Sequence, residues 1–271
     1  KLYKVYISSK QEKISDLIGF RSIQTKGQKI YLNNNEINFK GIAMHAEPIG
    51  IPGPAFSKKH FQKLLGAAKE LNTNFVRAAH YPYTRHLSRL ADEMGIMLWE
   101  EVPVYWNIDW DNPATLEIAK NQISRLVQRD QNRASVVVWS IANETPLSSS
   151  RMDFLSKLLS EIELIDTSRL TTAALLSGSE EQFELLVLAL ASQGAKSEWV
   201  DEKERFIFQS ILAKANIPID AHIKFSLSID DPLGELVDLI SYNEYFGWYY
   251  VTFFADQIMV SEGTLRKLMF E

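Results

Sequence analysis

The chain has 271 residues, of which 46% are hydrophobic and 23% charged, and it carries a formal net charge of −5. That balance is typical of a core-forming globular protein and excludes a disordered or collagen-like chain. With 29 basic against 34 acidic residues, nothing favours nucleic acid or an anionic membrane surface as a partner. No stretch approaches the roughly 18 apolar residues that a membrane-spanning helix needs. The lack of cysteine rules out disulfides, thiolate metal sites and a cysteine nucleophile, but leaves cytoplasm and periplasm equally open as the compartment. Lys1–Ile14 has no apolar core of the kind a secretory signal requires, so none is expected here.

Residues 1–38 read as short strands. Tyr3–Ile7 and Phe20–Ile23 are the apolar runs, and Gly27-Gln and Asn33–Asn35 supply turn chemistry between them. From Phe39 the pattern changes to β-type runs that each precede an amphipathic helix: Phe39–Met44 before Lys58–Leu71, Asn74–Arg77 before Thr84–Met94, Ile96–Trp99 before Pro113–Gln128, and Val136–Trp139 before Ser150–Ile165. Ser57 is placed to cap the first helix. Leu170–Ala174, Leu239–Tyr242 and Gln257–Ser261 are predicted as a fifth, sixth and seventh strand. The repeat predicts an α/β fold of the eightfold (β/α) barrel type rather than a doubly wound sheet, since no glycine-rich dinucleotide loop is present. Two features depart from a complete barrel. The roughly 60 residues between the fifth and sixth strands hold two helical patterns, Glu180–Ser192 and Asp201–Ala215, where one crossover helix would suffice. Only ten residues follow Ser261, too few for an eighth strand and helix, so the barrel is expected to be incomplete at its C-terminal end.

In such barrels the chemistry sits where strands end. There this sequence places His45 and Glu47, Arg77 with His80 and Tyr81, Glu100 and Glu101, Asn143 and Glu144, Asn243 to Tyr245, and Glu262. Carboxyl groups from several strands facing one mouth suit acid-assisted cleavage of a glycosidic bond, in which one protonates the leaving oxygen and the other attacks or activates water. Trp106, Trp110 and Trp248 could stack on a sugar ring, although the first two read equally as loop packing. Arg77 could instead be a structural partner of Glu100 or Glu101, and His45 and His80 could be satisfied structural histidines. No His-Glu-x-x-His or comparable ligand spacing occurs, so no metal is expected.

Asp130–Glu144, read as Asp-Gln-Asn-Arg-Ala-Ser-Val-Val-Val-Trp-Ser-Ile-Ala-Asn-Glu, closely resembles the acid/base signature of glycoside hydrolase family 2, the family of β-galactosidases, β-glucuronidases and β-mannosidases. Asn74–Pro82 resembles that family's other signature, and Gly19–Arg21, Asn38–Ile42 with His45, Leu98–Pro103 and Ile240–Tyr249 are further matches. The resemblance implies that Glu144 is the general acid/base and that Asn143 contacts the sugar 2-hydroxyl. It implies Glu262 as the nucleophile at the end of strand seven, with Glu244 as the alternative. Ile258–Glu262 matches the first half of that element, while Gly263–Arg266 replaces its aromatic-glycine continuation. His45, Arg77, His80, Asn243, Tyr245 and Trp248 would line the glycone site, Arg77 and Tyr245 bonding the nucleophile.

By the same resemblance, residues 1–38 are the end of an immunoglobulin-like β-sandwich domain and residues 39–271 the catalytic barrel lacking strand eight. The implied activity is that of a retaining exo-β-glycosidase working by double displacement on a carbohydrate substrate without a cofactor, β-glucuronides ahead of β-galactosides. The alternative is a catalytically impaired barrel fragment that binds sugar or serves as a scaffold. An endo-acting cellulase-like barrel fits Arg77–Pro82 less well. A homo-oligomer, or sugar-binding domains N-terminal to the chain, would complete the assembly.

Overall fold

The alternating start of the chain forms two small antiparallel sheets in the computed structural model, which describes residues 1–48, 50–176, 180–226, 229–245 and 249–270. β1 (Leu2–Ser8) and β2 (Lys13–Gly19) make a hairpin. β3 (Ile23–Lys26), β4 (Lys29–Leu32) and β5 (Asn35–Ile37) make a meander. Its second turn uses Asn33 and Asn34 at φ 51° and 67°, a conformation that asparagine tolerates better than most residues. The predicted strand Phe20–Ile23 is a connection until Ile23, where β3 begins. Arg21 is drawn out of any ladder because it donates to the carbonyls of Val136 and Ser168, each at 2.9 Å.

The β/α alternation then follows as read: β6 (Gly41–Met44), α1 (Lys58–Glu70), β7 (Phe75–Ala78), α2 (Arg85–Met94), β8 (Met97–Glu101), α3 (Pro113–Asp130), β9 (Val136–Asn143), α4 (Ser149–Glu163) and β10 (Leu170–Leu176). The helices begin where the chain supplies a cap. Ser57, Asn112 and Ser148 each accept a backbone N–H of the first turn, and Pro113 occupies a position that has no donor to lose. Helix α2 ends at Gly95, whose left-handed φ of 67° a side chain would strain. After α5 (Glu180–Gly194) and α6 (Glu202–Lys214), β11 (Leu239–Asn243) returns to the sheet, and α7 (Tyr249–Ile258) and α8 (Glu262–Phe270) follow. The strand order is β11-β10-β9-β8-β7-β6, and each pair from β6 to β10 is parallel. Every residue of β9 is buried, as expected of a parallel strand covered on both faces.

Among the described residues the sheet has six strands, a curled half-barrel with β6 and β11 at its edges, in keeping with the incomplete barrel expected from the sequence. One expectation is corrected. The predicted seventh strand, Gln257–Ser261, does not form: Gln257 and Ile258 are the last turn of α7, and Met259 turns the chain at φ 56°. Val251, Phe254, Ala255 and Ile258 repeat at helical spacing and pack with Leu186, Phe208, Leu212 and Leu265. That longer period overrides the short β-type run.

The chain divides into two compact units, 1–175 with 231–242, and 176–230 with 243–271. In the first, Ile23, Ile30 and Leu32 of the meander join Phe75, Trp99, Val137, Val138 and Leu170 in one core cluster, so the meander plugs the sheet at the end opposite the strand C-termini. The second is a helical cluster with a core of its own, built from α5 to α8.

One close approach tests the register. A Cβ on Gly41 would lie 2.2 Å from the carbonyl oxygen of Phe75, its partner across β6 and β7. Gly41→Ala is therefore expected to cost about 1–3 kcal/mol, as overpacking does. Urea unfolding measures this, and an unchanged midpoint would mean that β6 can shift.

Candidate active site

Five side chains on or just after β7, β8 and β9 form one polar network in the first unit. Glu101 is only 2% exposed, and a carboxylate that deep is tolerated only with full compensation. Here it accepts from Arg77 Nε at 2.9 Å and Nη2 at 3.3 Å, and from Trp99 Nε1 at 2.6 Å. His80 Nδ1 meets its other side at 2.6 Å. Arg77 also lies over the Trp99 ring, 4.6 Å from its centroid, and Nη2 donates to Asn143 Oδ1 at 2.6 Å. The Asn143 amide is thus oriented through Arg77 by Glu101. Of the two partners considered for Arg77, Glu101 is the one it bonds. His45 is exposed and meets His80 edge-on at 5.3 Å and Tyr81 at 6.4 Å.

Glu144 follows directly on β9 with φ 51°, which is uncommon for a side chain-bearing residue and worth a functional question. Its amide donates to the Ala174 carbonyl at 2.8 Å and the Asn143 amide to the Val104 carbonyl at 2.9 Å, so β10 on one side and the segment after β8 on the other hold the bend. The half-buried carboxyl accepts from Trp106 Nε1 at 3.1 Å. Sequence reasoning treated Trp106 as a sugar platform or as packing and missed this role; no spacing rule links positions 106 and 144. Trp110 is a packing residue, edge-on to Phe154 at 5.2 Å.

Glu100 lies on the opposite face of β8 from Glu101, toward the helices, and takes no part in the network. It is 1% exposed, and by distance and angle neither oxygen accepts a hydrogen bond among the described residues. Burial, and then the charge of Asp130 beside it, push its carboxyl well above the usual carboxylate range, against the opposing pull of Arg129 and Arg169. An unfolded glutamate ionises near pH 4.3. The stability tied to a neutral Glu100 is therefore full below about pH 4 and is lost as the pH rises toward its folded value. Glu100→Gln, neutral at every pH, is expected to be more stable than the parent at pH 8 and equal to it near pH 4. A urea midpoint for the variant below the parent's at pH 8 would sink this reading.

The remaining candidates belong to the second unit. Asn243 is the last residue of β11 and Tyr245 follows two residues later; both are partly buried. Trp248 lies outside the described residues. Glu244, the alternative nucleophile, is exposed. Glu262 is corrected in its setting: instead of ending a strand it opens α8, where Thr252 Oγ1 donates to it at 2.9 Å and Arg266 Nη2 at 3.2 Å. Those two hydrogen bonds hold its carboxyl below the usual range. Among the described residues, no three His, Asp, Glu or Cys side chains are grouped as a metal ion would need, and no helix is long and apolar enough to cross a membrane.

Comparison with known proteins bears on the unit that holds Arg77, Glu101 and Glu144. Residues 23–193 match the profile described as "Glycosyl hydrolases family 2, TIM barrel domain". A β-glucuronidase of Streptococcus agalactiae is 26% identical over 255 residues, 88% of this chain and 35% of that protein. A β-galactosidase of an Arthrobacter species is 31% identical over 154 residues, 54% of this chain and 15% of that protein. The chain therefore spans about a third or less of the length of these relatives. Among solved structures, a β-glucuronidase from Ruminococcus gnavus superposes with a TM-score of 0.65 at 22% identity, over 97% of this chain and 40% of that one.

Proposed function

Because this chain belongs to family 2 of the glycosyl hydrolases, whose barrel profile covers more than half of it, we propose that it is the barrel portion of a retaining exo-β-glycosidase with Glu144 as its general acid/base. The observation that carries the reading is the bent Asn143-Glu144 pair at the end of β9, with Asn143 oriented by the Arg77–Glu101 network. In the first step a carboxylate nucleophile forms a bond to the anomeric carbon, the glycosidic bond breaks, and Glu144 gives its proton to the departing oxygen. In the second, Glu144 takes a proton from water, the hydroxide adds to the anomeric carbon, and the nucleophile leaves with its electron pair. Within the first unit, His45, Arg77, His80 and Asn143 are the residues we assign to the glycone, with Asn143 donating to the sugar 2-hydroxyl; the assignment of Asn243, Tyr245 and Trp248 to substrate follows from the family resemblance alone. The relatives favour β-glucuronides as substrates, with β-galactosides second. Residues 1–38, whose hairpin β1–β2 leaves Tyr6, Ile7 and Ile14 more than half exposed, are proposed as the end of an immunoglobulin-like β-sandwich domain.

Glu262 is the nucleophile only if residues 257–262 adopt the strand that the family's barrel has there. Their helical setting favours a second reading, in which the chain by itself binds sugar without turnover. Hydrolysis of p-nitrophenyl β-D-glucuronide and β-D-galactoside separates the two. Turnover that Glu262→Ala abolishes supports the first reading. Absent turnover with retained binding of glucaro-1,5-lactone, unaffected by Glu262→Ala, supports the second. Turnover that survives Glu144→Ala intact would reject Glu144 as the acid/base.

A further inference from the structure

Trp106, just beyond β8, has two features that loop packing does not require. Its backbone lies at φ 56°, a region that costs a bulky residue on the order of 1 kcal/mol or more. The strain is held by its own amide, which donates to the Asn143 carbonyl at 3.2 Å, and by the bridge between Tyr105 and Asn143. The conformation brings the indole Nε1–H to Glu144 Oε2 at 3.1 Å while 63% of the residue stays exposed. A tryptophan with its polar end engaged and its ring open to solvent has the amphipathic form of a contact surface. Tyr105, 41% exposed, stands edge-on to it at 5.7 Å, so the two rings form an aromatic corner beside the carboxyl.

We propose that Trp106 is a positioning residue for Glu144 and that its open ring is the wall against which the leaving group of a β-glycoside stacks, selecting planar, aromatic aglycones. This rests on Glu144 being the acid/base. A general acid must come within about 2.6–3.2 Å of the oxygen it protonates. The leaving group begins at that oxygen, so it starts one hydrogen bond away from the carboxyl that also holds the indole. An N–H donor favours the ionised carboxylate, the form that takes a proton from water in the second step. The bond therefore keeps Glu144 aimed through both of its duties.

Indole N–H resonances of the ¹⁵N-labelled chain test this without requiring turnover. The chain has six tryptophans, and the signal missing from Trp106→Phe is that of Trp106. Glu144→Gln is expected to move it. Phenyl 1-thio-β-D-glucuronide should move it further than the methyl thioglycoside does. Trp106→Ala, with Trp106→Gly as the variant that relieves the left-handed backbone, should weaken binding of the phenyl compound up to about tenfold, the range of an aromatic contact, and leave the methyl compound unchanged. In an active preparation, Trp106→Phe should move the alkaline limb of kcat/KM to higher pH. A Trp106 signal indifferent to Glu144→Gln, or equal binding of both thioglycosides by the parent and the Ala and Gly variants, overturns the proposal. If Glu144→Gln moves the signal but neither thioglycoside binds, the glycone reading and the aromatic wall are both rejected, and the coupling to Glu144 identifies which premise failed.

Discussion

Glu144→Ala is expected to lower turnover of methyl β-D-glucuronide by about 10²–10⁴-fold, the usual contribution of a positioned acid, while sparing the first step for a dinitrophenyl glucuronide. The difference lies in the leaving group. On the proposed role of Glu144, a methoxide needs the proton that this carboxyl would supply, whereas a dinitrophenolate departs without it. Removing the carboxyl also opens room for a small anion, so azide should restore turnover and appear in the product as the β-glycosyl azide, with configuration retained as double displacement requires. Product analysis by NMR reads the configuration directly. An α-azide, or a loss equal for all leaving groups with no azide rescue, would remove Glu144 from the acid/base role and leave its bent backbone without a catalytic purpose.

The second large effect concerns stability. Arg151 is completely buried. Its Nη1 and Nη2 pair with the two carboxylate oxygens of Asp231 at 2.8 Å each, and Nε donates to Thr145 Oγ1 at 2.8 Å. One side chain thus ties the start of α4 to the residue after Glu144 and to the segment that leads into β11. Arg151→Ala strands the Asp231 carboxylate in a site where it is 8% exposed, and breaking a buried pair from one side costs about 3–5 kcal/mol. For a chain of this length the melting temperature should fall by on the order of 10 °C. Adding Asp231→Ala should recover part of that loss, because the stranded charge goes with it, and the double-mutant cycle then yields the coupling between the two. A melting temperature unchanged by Arg151→Ala would show that water reaches Asp231 and that the pair is not a clamp.

The succession of strands and helices from residue 39 to 176 was legible because each element is governed by local rules: apolar residues at the helical period in α1, capping at Ser57 and Ser148, and continuous apolar runs such as Val136–Val138 for a strand covered on both faces. That Arg77, Glu101 and Asn143 would meet at one end of the sheet was legible for the same reason, since side chains at strand ends in a β/α fold face one side. The signature ending in Asn143-Glu144 named the family that the profile match bears out.

What the sequence determined by itself is therefore the class of fold, the strand ends at which polar side chains gather and the family. Only the tertiary structure decided which partner each polar group takes. Glu100 and Glu101 are neighbours of the same type, yet the pleat of β8 sends one to the helix side, where burial pushes its carboxyl up, and the other into the mouth as the anchor of Arg77 and His80. Trp106 finds Glu144 across 38 positions, and Gln257–Ser261 gives up its β-type pattern to the helical packing of α7. In each case the deciding energy is a burial or a hydrogen bond between residues far apart in the chain. Periodicity records only how a residue relates to its near neighbours, so it carries no information about those pairings.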